Sequence, residues 1–153
     1  MRFILIDRIT RWEPGTGAEA TKNVALSEDF FDDHFPLKPI MPGVLMLEGL
    51  AEIAGLVLEE TVRQQQGRCV KALLSLVERA KFREFVTPGD TLRYRASIES
   101  INERAGLMRG EILLEDRKIG EASLVFTFHE IETPRLDARR AELLKSWLDA
   151  IHG

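Results

Sequence analysis

The chain has 153 residues, enough for one domain with a sizeable core, and its 44% hydrophobic and 30% charged residues are typical of a globular protein. A formal net charge of −4 argues against a nucleic-acid-binding protein, which would usually carry an excess of basic residues. Cys69 is the single cysteine, so an internal disulfide is excluded and a reducing, cytoplasmic location is favoured. The apolar stretch within the first seven residues is too short, and is interrupted by charge too early, to indicate a secretory signal.

The first predicted elements are two strands and a short helical turn. Mixed apolar and charged residues over 3–13, broken by Pro14-Gly15, predict a strand and a turn, and residues 18–26 predict a second strand. Residues 28–31, acidic and aromatic, predict one turn of helix. Two prolines, Pro36 and Pro39, then predict an irregular segment because they forbid regular backbone hydrogen bonding.

A long helix is predicted from Pro42 towards Arg63. Proline is favoured at a helix start, and Gly67 is placed to end the helix. Its first four turns carry apolar residues on all sides, which predicts a helix buried all round. Glu48 and Glu52 lie in the middle of this stretch and make a membrane-spanning segment unfavourable, so a buried helix in a soluble domain is the better interpretation.

From residue 70 onwards the pattern predicts antiparallel strands and then an amphipathic helix. One buried helix followed by such strands predicts an α+β domain over residues 1–131, with a curved sheet wrapped around the helix. Residues 132–153 are expected to form a helical extension packed on the same domain. Open edges of such a sheet usually need a partner, which favours a symmetric dimer. The predicted strands are residues 70–85, 91–101, 107–114 and 118–129, with a turn at 87–90 and a helix from about Asp137.

His34 and Glu48 are the candidate catalytic residues. The imidazole of a histidine titrates near neutral pH, which suits a general base. Burial of Glu48 among three neighbouring leucines would favour its protonated form, which suits a general acid. The alternatives are a histidine that caps a turn and a structural carboxylate bonded to the backbone or to an arginine.

Between these two residues, the Pro42-Gly43 step opens the helix. Backbone N–H groups at a helix start can hold an oxygen on which negative charge develops, so Gly43 is a candidate oxyanion donor. The alternative is a glycine required only for steric reasons.

With these residues identified, the chain resembles the (3R)-hydroxyacyl-[acyl-carrier-protein] dehydratases of the FabZ/FabA type. The resemblance rests on LIDR at residues 5–8, residues 31–55, VERAKFR at 77–83 and VTPGD at 86–90, and the string from His34 to Glu48 is the most specific part. It implies the hotdog fold, a central helix wrapped by an antiparallel sheet, in dimers that often assemble into hexamers. It also implies no metal or organic cofactor.

The resemblance further implies an active site at the dimer interface that dehydrates 3-hydroxyacyl thioesters. His34 would come from one subunit and Glu48 from the other. Substrate contacts are expected from Pro42, Gly43, Val44, Phe82 and Glu52. The acyl carrier protein that delivers the substrate is expected to be acidic, and a basic strand face formed by Arg79, Lys81 and Arg83 is the candidate contact surface. Arg93 and Arg95 form a similar stripe, and plain solvated strand faces have the same pattern.

Some residues depart from the family pattern. Leu37 and Arg117 stand where glycine is usual, and Glu52 stands where glutamine is usual, one helical turn after Glu48. Two neighbouring carboxylates repel, which couples their titrations. Two other functions remain open: a hotdog thioesterase, which would hydrolyse the thioester, and a non-catalytic subunit that binds acyl chains or carrier protein.

Overall fold

The computed structural model describes residues 4–130 and 134–152. The elements are β1 (Arg8–Glu13), β2 (Gly17–Asn23), a 3₁₀ helix (Asp29–Asp32), α1 (Gly43–Gln66), β3 (Lys71–Phe82), β4 (Thr91–Ile101), β5 (Ala105–Leu114), β6 (Arg117–His129) and α2 (Pro134–His152). Within the described residues, six antiparallel strands form one sheet in the order β1-β2-β4-β5-β6-β3. Every one of these strands contacts the long helix α1, so the predicted α+β arrangement is confirmed.

The strand predictions differ from the structure mainly at the ends. The first predicted strand began at Phe3, which lies outside the described residues, and β1 begins only at Arg8. β2 ends at Asn23 because the next residue leaves the ladder and bonds to the turn before β4: Val24 N–H donates to Asp90 O, 2.9 Å away. The predicted boundary between residues 131 and 132 also lies outside the described residues.

Helix α1 begins after Pro42 and ends at Gly67, which adopts the left-handed conformation with φ of 66°. Glycine is favoured there because it has no Cβ to clash. The central part of α1 is buried, but the expectation of burial all round is wrong for the single chain. The side chains of Val44 and Glu48 are exposed, Val44 by 69%, because none of the described strands covers that side of the first two turns.

At Gly49, α1 approaches the sheet closely. A Cβ at this position would lie 2.6 Å from both Cζ and Oη of Tyr94, a fully buried residue of β4. Real side chains do not approach so closely, and the tyrosine ring cannot move aside in a sealed core. Gly49 therefore sets the distance between the helix and the sheet.

We expect Gly49→Ala to destabilise the protein by about 1–3 kcal/mol through overpacking. Gly55→Ala is the matched control on the same helix, because its Cβ would meet Phe126 at an ordinary 3.5 Å. Alanine is favoured over glycine inside a helix, so this control should be neutral or stabilising by up to about 1 kcal/mol. Chemical denaturation of both variants measures the difference, and equal effects would contradict the argument.

The C-terminal helix α2 is amphipathic and contacts β1, a strand at the margin of the sheet. Its Trp147 is buried in the core, and Leu143, Leu144 and Leu148 pack against the core from one side. An ion pair joins α2 to α1: Arg140 Nη1 lies 3.1 Å from Glu59 Oε1.

At the other margin, β3 pairs only with β6 among the described strands, so one edge of β3 is open. Three of its apolar side chains, Leu73, Leu74 and Leu76, are exposed in the single chain. A long apolar edge strand is an unfavourable surface for an isolated protein. This margin is therefore the natural place for a partner.

Candidate active site

The backbone around His34 fixes the orientation and the tautomer of its ring. After the 3₁₀ helix, His34 N–H donates to Phe30 O at 3.1 Å, and Ile40 N–H donates to His34 O at 3.0 Å. The ring nitrogen Nδ1 lies 2.8 Å from Ile40 O. A carbonyl oxygen only accepts, so Nδ1 carries the proton and Nε2 of the neutral ring keeps its lone pair. The half-buried His34 is therefore arranged to accept a proton through Nε2.

His34 lines a pocket of about 480 Å³ beside the start of α1. The other walls come from the segment before the helix, the first turns of the helix and the end of β3. Gly43 packs directly on the ring of Phe82, and a Cβ at position 43 would lie 3.1 Å from that ring. Glycine is therefore required at this position for steric reasons. Because glycine has no side chain, the backbone N–H at the helix start is unobstructed. The pocket is lined by His34, Ile40, Met41, Gly43, Met46, Phe82, Arg83, Glu84 and Phe85.

A β-bulge brings Phe82 to this pocket. The register of β3 against β6 shifts between Glu78 and Lys81, and Arg79 has a positive φ of 54°. Bulges change the direction of the side chains that follow them. Arg83 N–H then donates to Ile119 O at 2.7 Å, which holds the end of the strand against the sheet.

Glu48 is placed differently from the prediction. Its side chain is exposed in the single chain and does not line the pocket of His34, so the expected burial among the leucines is not found. The physical reason is that Glu48 shares the uncovered side of α1 with Val44. Val44 and Pro42, expected substrate contacts, also lie outside the pocket lining.

Glu52, one turn further along α1, is a half-buried carboxyl. Its Oε2 accepts a hydrogen bond from Leu5 N–H at 3.0 Å. Burial raises the pKa of Glu52 to about 7; the bond from Leu5 lowers the pKa, and the charge of Glu48 raises it further. Glu52 is therefore a titrating group at neutral pH, and it does not line the pocket of His34.

This pKa predicts a pH-dependent effect of Glu52→Gln on stability. A carboxyl group whose pKa is raised in the folded state stabilises that state through its neutral form. This stabilisation is complete below the ordinary pKa of 4.5 and is lost as the pH rises towards 7. Glutamine keeps an oxygen for Leu5 N–H but carries no charge. We expect the variant to match the parent at pH 4 and to exceed it at pH 8 by about 2 kcal/mol, or roughly 4–8 °C in Tm.

Thermal melts at the two pH values, at one protein concentration, measure this difference. Glu60→Gln is the control on the same helix. Arg63 holds the pKa of Glu60 below its usual range, so this variant should gain no stability at pH 8. A pH-independent change in Glu52→Gln would contradict the prediction.

Further polar groups are enclosed between α1 and the strands. Lys22 of β2 is buried, with Nζ at 2.6 Å from Glu28 Oε1 and 3.8 Å from Asp7 Oδ2. The hydroxyl of Tyr94 is buried and has no hydrogen-bond partner among the described residues. Burial raises the pKa of Tyr94, and the charge of Glu52 raises it further. The tyrosine is therefore neutral near Glu52.

The basic residues divide into two groups. Arg83 lines the pocket and pairs with Glu121 at 2.8 Å, whereas Arg79 and Lys81 are exposed on the same strand. Arg95 of the second stripe is paired with Glu19 at 2.6 Å. Arg93 lies 3.7 Å from Asp116. The second stripe is therefore compensated by acidic neighbours and is a weaker candidate for binding an acidic partner.

Sequence reasoning missed several pocket residues. Phe85 and Glu84 follow β3 where a continuous strand was predicted, and Lys38 Nζ lies 5.5 Å from the centroid of the Phe85 ring. Glu84 pairs with Arg117, one of the residues that depart from the family pattern. Leu37, another departure, is 99% exposed at the tip of a turn and does not line the pocket.

Over residues 4–130 and 134–152, no group of three or more histidine, cysteine, aspartate or glutamate side chains could hold a metal ion. The helices in the same ranges include none with the length and apolarity needed to cross a membrane.

The fold belongs to the hotdog class, as comparison with solved structures shows. A Streptococcus mutans protein, smu.793, bound to acetyl CoA matches with a TM-score of 0.65 at 12% identity, covering 87% of this chain and 96% of that one. A hypothetical thioesterase with coenzyme A from Streptococcus pneumoniae matches with a TM-score of 0.62 at 12% identity, covering 82% and 88% of the two chains. At these identities the likeness concerns the fold alone.

The chain is a member of the FabA-like family, whose domain description matches residues 1–123. Among its relatives, the 3-hydroxyacyl-[acyl-carrier-protein] dehydratase FabZ of Clostridium kluyveri is 39% identical over 124 residues, which are 81% of this chain and 84% of the relative. The FabZ of Thioalkalivibrio sulfidiphilus is 35% identical over 134 residues, covering 86% and 90%. The resemblance found from the motifs is confirmed. α2 lies beyond the matched domain.

Proposed function

We propose that this protein is a cytoplasmic hydro-lyase that converts (3R)-3-hydroxyacyl chains on acyl carrier protein to trans-2-enoyl thioesters, in fatty acid or related lipid biosynthesis. Membership of the FabA-like family and the similarity to FabZ dehydratases support the reaction. One structural observation carries the assignment of the base. The contact of His34 Nδ1 with Ile40 O leaves Nε2 free to accept a proton in a pocket beside a helix start.

In this proposal His34 Nε2 removes a proton from C2 of the acyl chain. The released electron pair forms the double bond between C2 and C3 while the C3–O bond breaks, and Glu48 gives its proton to the leaving hydroxyl to form water. The N–H of Gly43 holds the thioester oxygen as negative charge develops on it. A positioned acid and a positioned base each contribute about 10²–10⁴-fold to such a step.

The acid of each site would come from a second copy of the chain. Glu48 is exposed on an uncovered side of α1 and is absent from the pocket that holds His34 of the same chain. The open edge of β3 and its exposed leucines offer the surface on which a partner would bind. Contact with that partner would remove water from Glu48 and favour its protonated form. Assembly of dimers into a hexamer is a further part of the proposal.

Acyl carrier protein would approach the pocket along the end of β3. Arg79 and Lys81 are exposed there, and Arg83 lies at the pocket itself. A local basic surface can steer an acidic partner even when the net charge of the chain is negative.

The decisive experiment is an assay with 3-hydroxyacyl carrier protein over a ladder of chain lengths. Ultraviolet absorbance of the enoyl thioester reports dehydration, and a thiol reagent reports hydrolysis. Enoyl formation without free thiol is the expected result. Free thiol without the enoyl product would mean a thioesterase, and neither product at any chain length would favour a non-catalytic subunit that binds acyl chains.

A further inference from the structure

One wall of the pocket is a short segment after β3, residues 83–86, which is fixed at both ends. At its start, Arg83 N–H donates to Ile119 O of β6 at 2.7 Å. At its end, Met41 N–H donates to Val86 O at 2.8 Å, which joins the segment to the chain just before α1. We call residues 83–86 the pocket lip. Its first three residues line the pocket and are also exposed, so a charge on them lies at the pocket mouth.

Glu84 is the acidic residue of the lip, and the first residue of β6 compensates its charge. Arg117 Nε lies 3.3 Å from Glu84 Oε1, and Arg117 Nη2 lies 3.1 Å from Glu84 Oε2, so the arginine grips both oxygens. The same guanidinium lies 2.9 Å from Glu115 Oε2. The side chains of Arg117 and Glu84 are 53% and 41% exposed, and pairs this exposed add little to the free energy of unfolding. The pair matters for the charge that an approaching molecule meets.

The other lip residues have cationic partners. Arg83 and Lys118 share the carboxylate of Glu121, at 2.8 and 2.7 Å. Lys38 Nζ lies 5.5 Å from the centroid of the Phe85 ring. Together with the group around Glu84, four cations face three carboxylates, so the charge at the lip is slightly positive. Loss of the arginine that serves two of these carboxylates would remove this excess and leave the carboxylate at the pocket mouth uncompensated.

We propose that Arg117 is a specificity-determining residue: by cancelling the charge of Glu84 at the pocket lip, it allows a substrate on an acidic carrier to enter. The inference rests on the proposed function, in which acyl carrier protein delivers the substrate. It concerns local charge rather than a direct contact, because the guanidinium already serves two carboxylates. Charges at a binding surface act mainly on the rate of encounter with a charged partner, so the effect should be on kcat/KM.

The test compares two substrates that have the same 3-hydroxybutyryl group, one on acyl carrier protein and one on N-acetylcysteamine, which has no charge. In Arg117→Gln, kcat/KM for the carrier-bound substrate should fall about two- to tenfold at low salt. The value for the neutral thioester, and kcat for both substrates, should stay at the parental level. The screening length falls from about 10 Å at 0.1 M to about 3 Å at 1 M salt, so the loss should shrink as salt is added.

Two further variants separate charge cancellation from other roles of the arginine. Arg104→Gln removes an exposed cation from the turn before β5, at the opposite end of that strand, and should leave both values unchanged. Glu84→Gln combined with Arg117→Gln removes both charges of the pair and should restore the parental kcat/KM with the carrier. A double variant that stays as low as Arg117→Gln would mean that the arginine contacts the carrier directly. That outcome, or an equal loss with the neutral thioester, would overturn the inference.

Binding measured without turnover distinguishes failure of the inference from failure of the proposed function. Fluorescence anisotropy of labelled acyl carrier protein reports its Kd for the full-length parent and for the same variants. If the parent binds the carrier but does not dehydrate, the function fails, and a two- to tenfold weaker Kd in Arg117→Gln that the double variant restores still supports the inference. Equal Kd values for parent and Arg117→Gln, or no binding of the carrier by the parent, would overturn it.

Discussion

A mixture of His34→Ala and Glu48→Gln protomers should regain activity that neither variant has alone. Each homodimer of a variant would lack the same group in both of its sites, so we expect dehydration to fall by about 10²–10⁴-fold. A mixed dimer would combine one intact His34 with one intact Glu48 in one of its two sites. Random exchange of subunits makes half of the dimers mixed, so we expect about a quarter of the parental activity from the whole mixture and about half from the isolated mixed dimer.

The experiment uses co-refolding or co-expression of differently tagged variants, with isolation of the mixed species. A mixture of His34→Ala with a second His34 variant, His34→Gln, is the control, because every site then lacks its base. Recovery only in the first mixture supports a site shared between two chains. Activity that stays at the level of the single variants would place both groups in one chain, against the geometry of the exposed Glu48.

The second large effect is expected from a charge on the open edge of the sheet. Leu76 of β3 is 47% exposed in the single chain, and we expect Leu76→Lys to prevent pairing of this strand with a second copy, because natural edge strands use lysine in this way. Sedimentation should show the mass of a single chain, and turnover should fall at least about 10²-fold, because each site would lose its acid.

Leu26→Lys is the matched control. Leu26 is 68% exposed and lies between β2 and the 3₁₀ helix, away from β3. This variant should keep the mass and activity of the parent. A monomeric but fully active Leu76→Lys protein would refute the proposed two-chain site. A circular dichroism spectrum of folded protein for this variant would show that its loss of activity is not caused by unfolding.

Local patterns were sufficient for most of the fold. β4 was predicted at its observed bounds because its alternation places Leu92, Tyr94 and Ala96 on the buried side. The ends of α1 were found because proline and glycine have special backbone preferences. The ends of β2 and β3 were not found, because a bond to a distant segment or a bulge decides where each of those strands stops.

The candidate site shows where such reasoning reaches its physical limit. The contact between Leu5 and Glu52 joins residues 47 positions apart, and Arg140 reaches Glu59 from the other end of the chain. No short pattern encodes these pairs. The burial expected for Glu48 failed for a related reason: an apolar helix surface indicates that something covers it, but that cover need not belong to the same chain.

The placement of α2 beside β1 also bears on how large an assembly can grow. A sheet with two free margins can add copies without end and form fibres, whereas a sheet with one free margin can add only one. Here α2 contacts β1 at one margin, and among the described elements no helix contacts β3 at the other margin except α1. Joining two copies through β3 would leave a helix near each outer strand, so polymerisation through the sheet would stop at two chains.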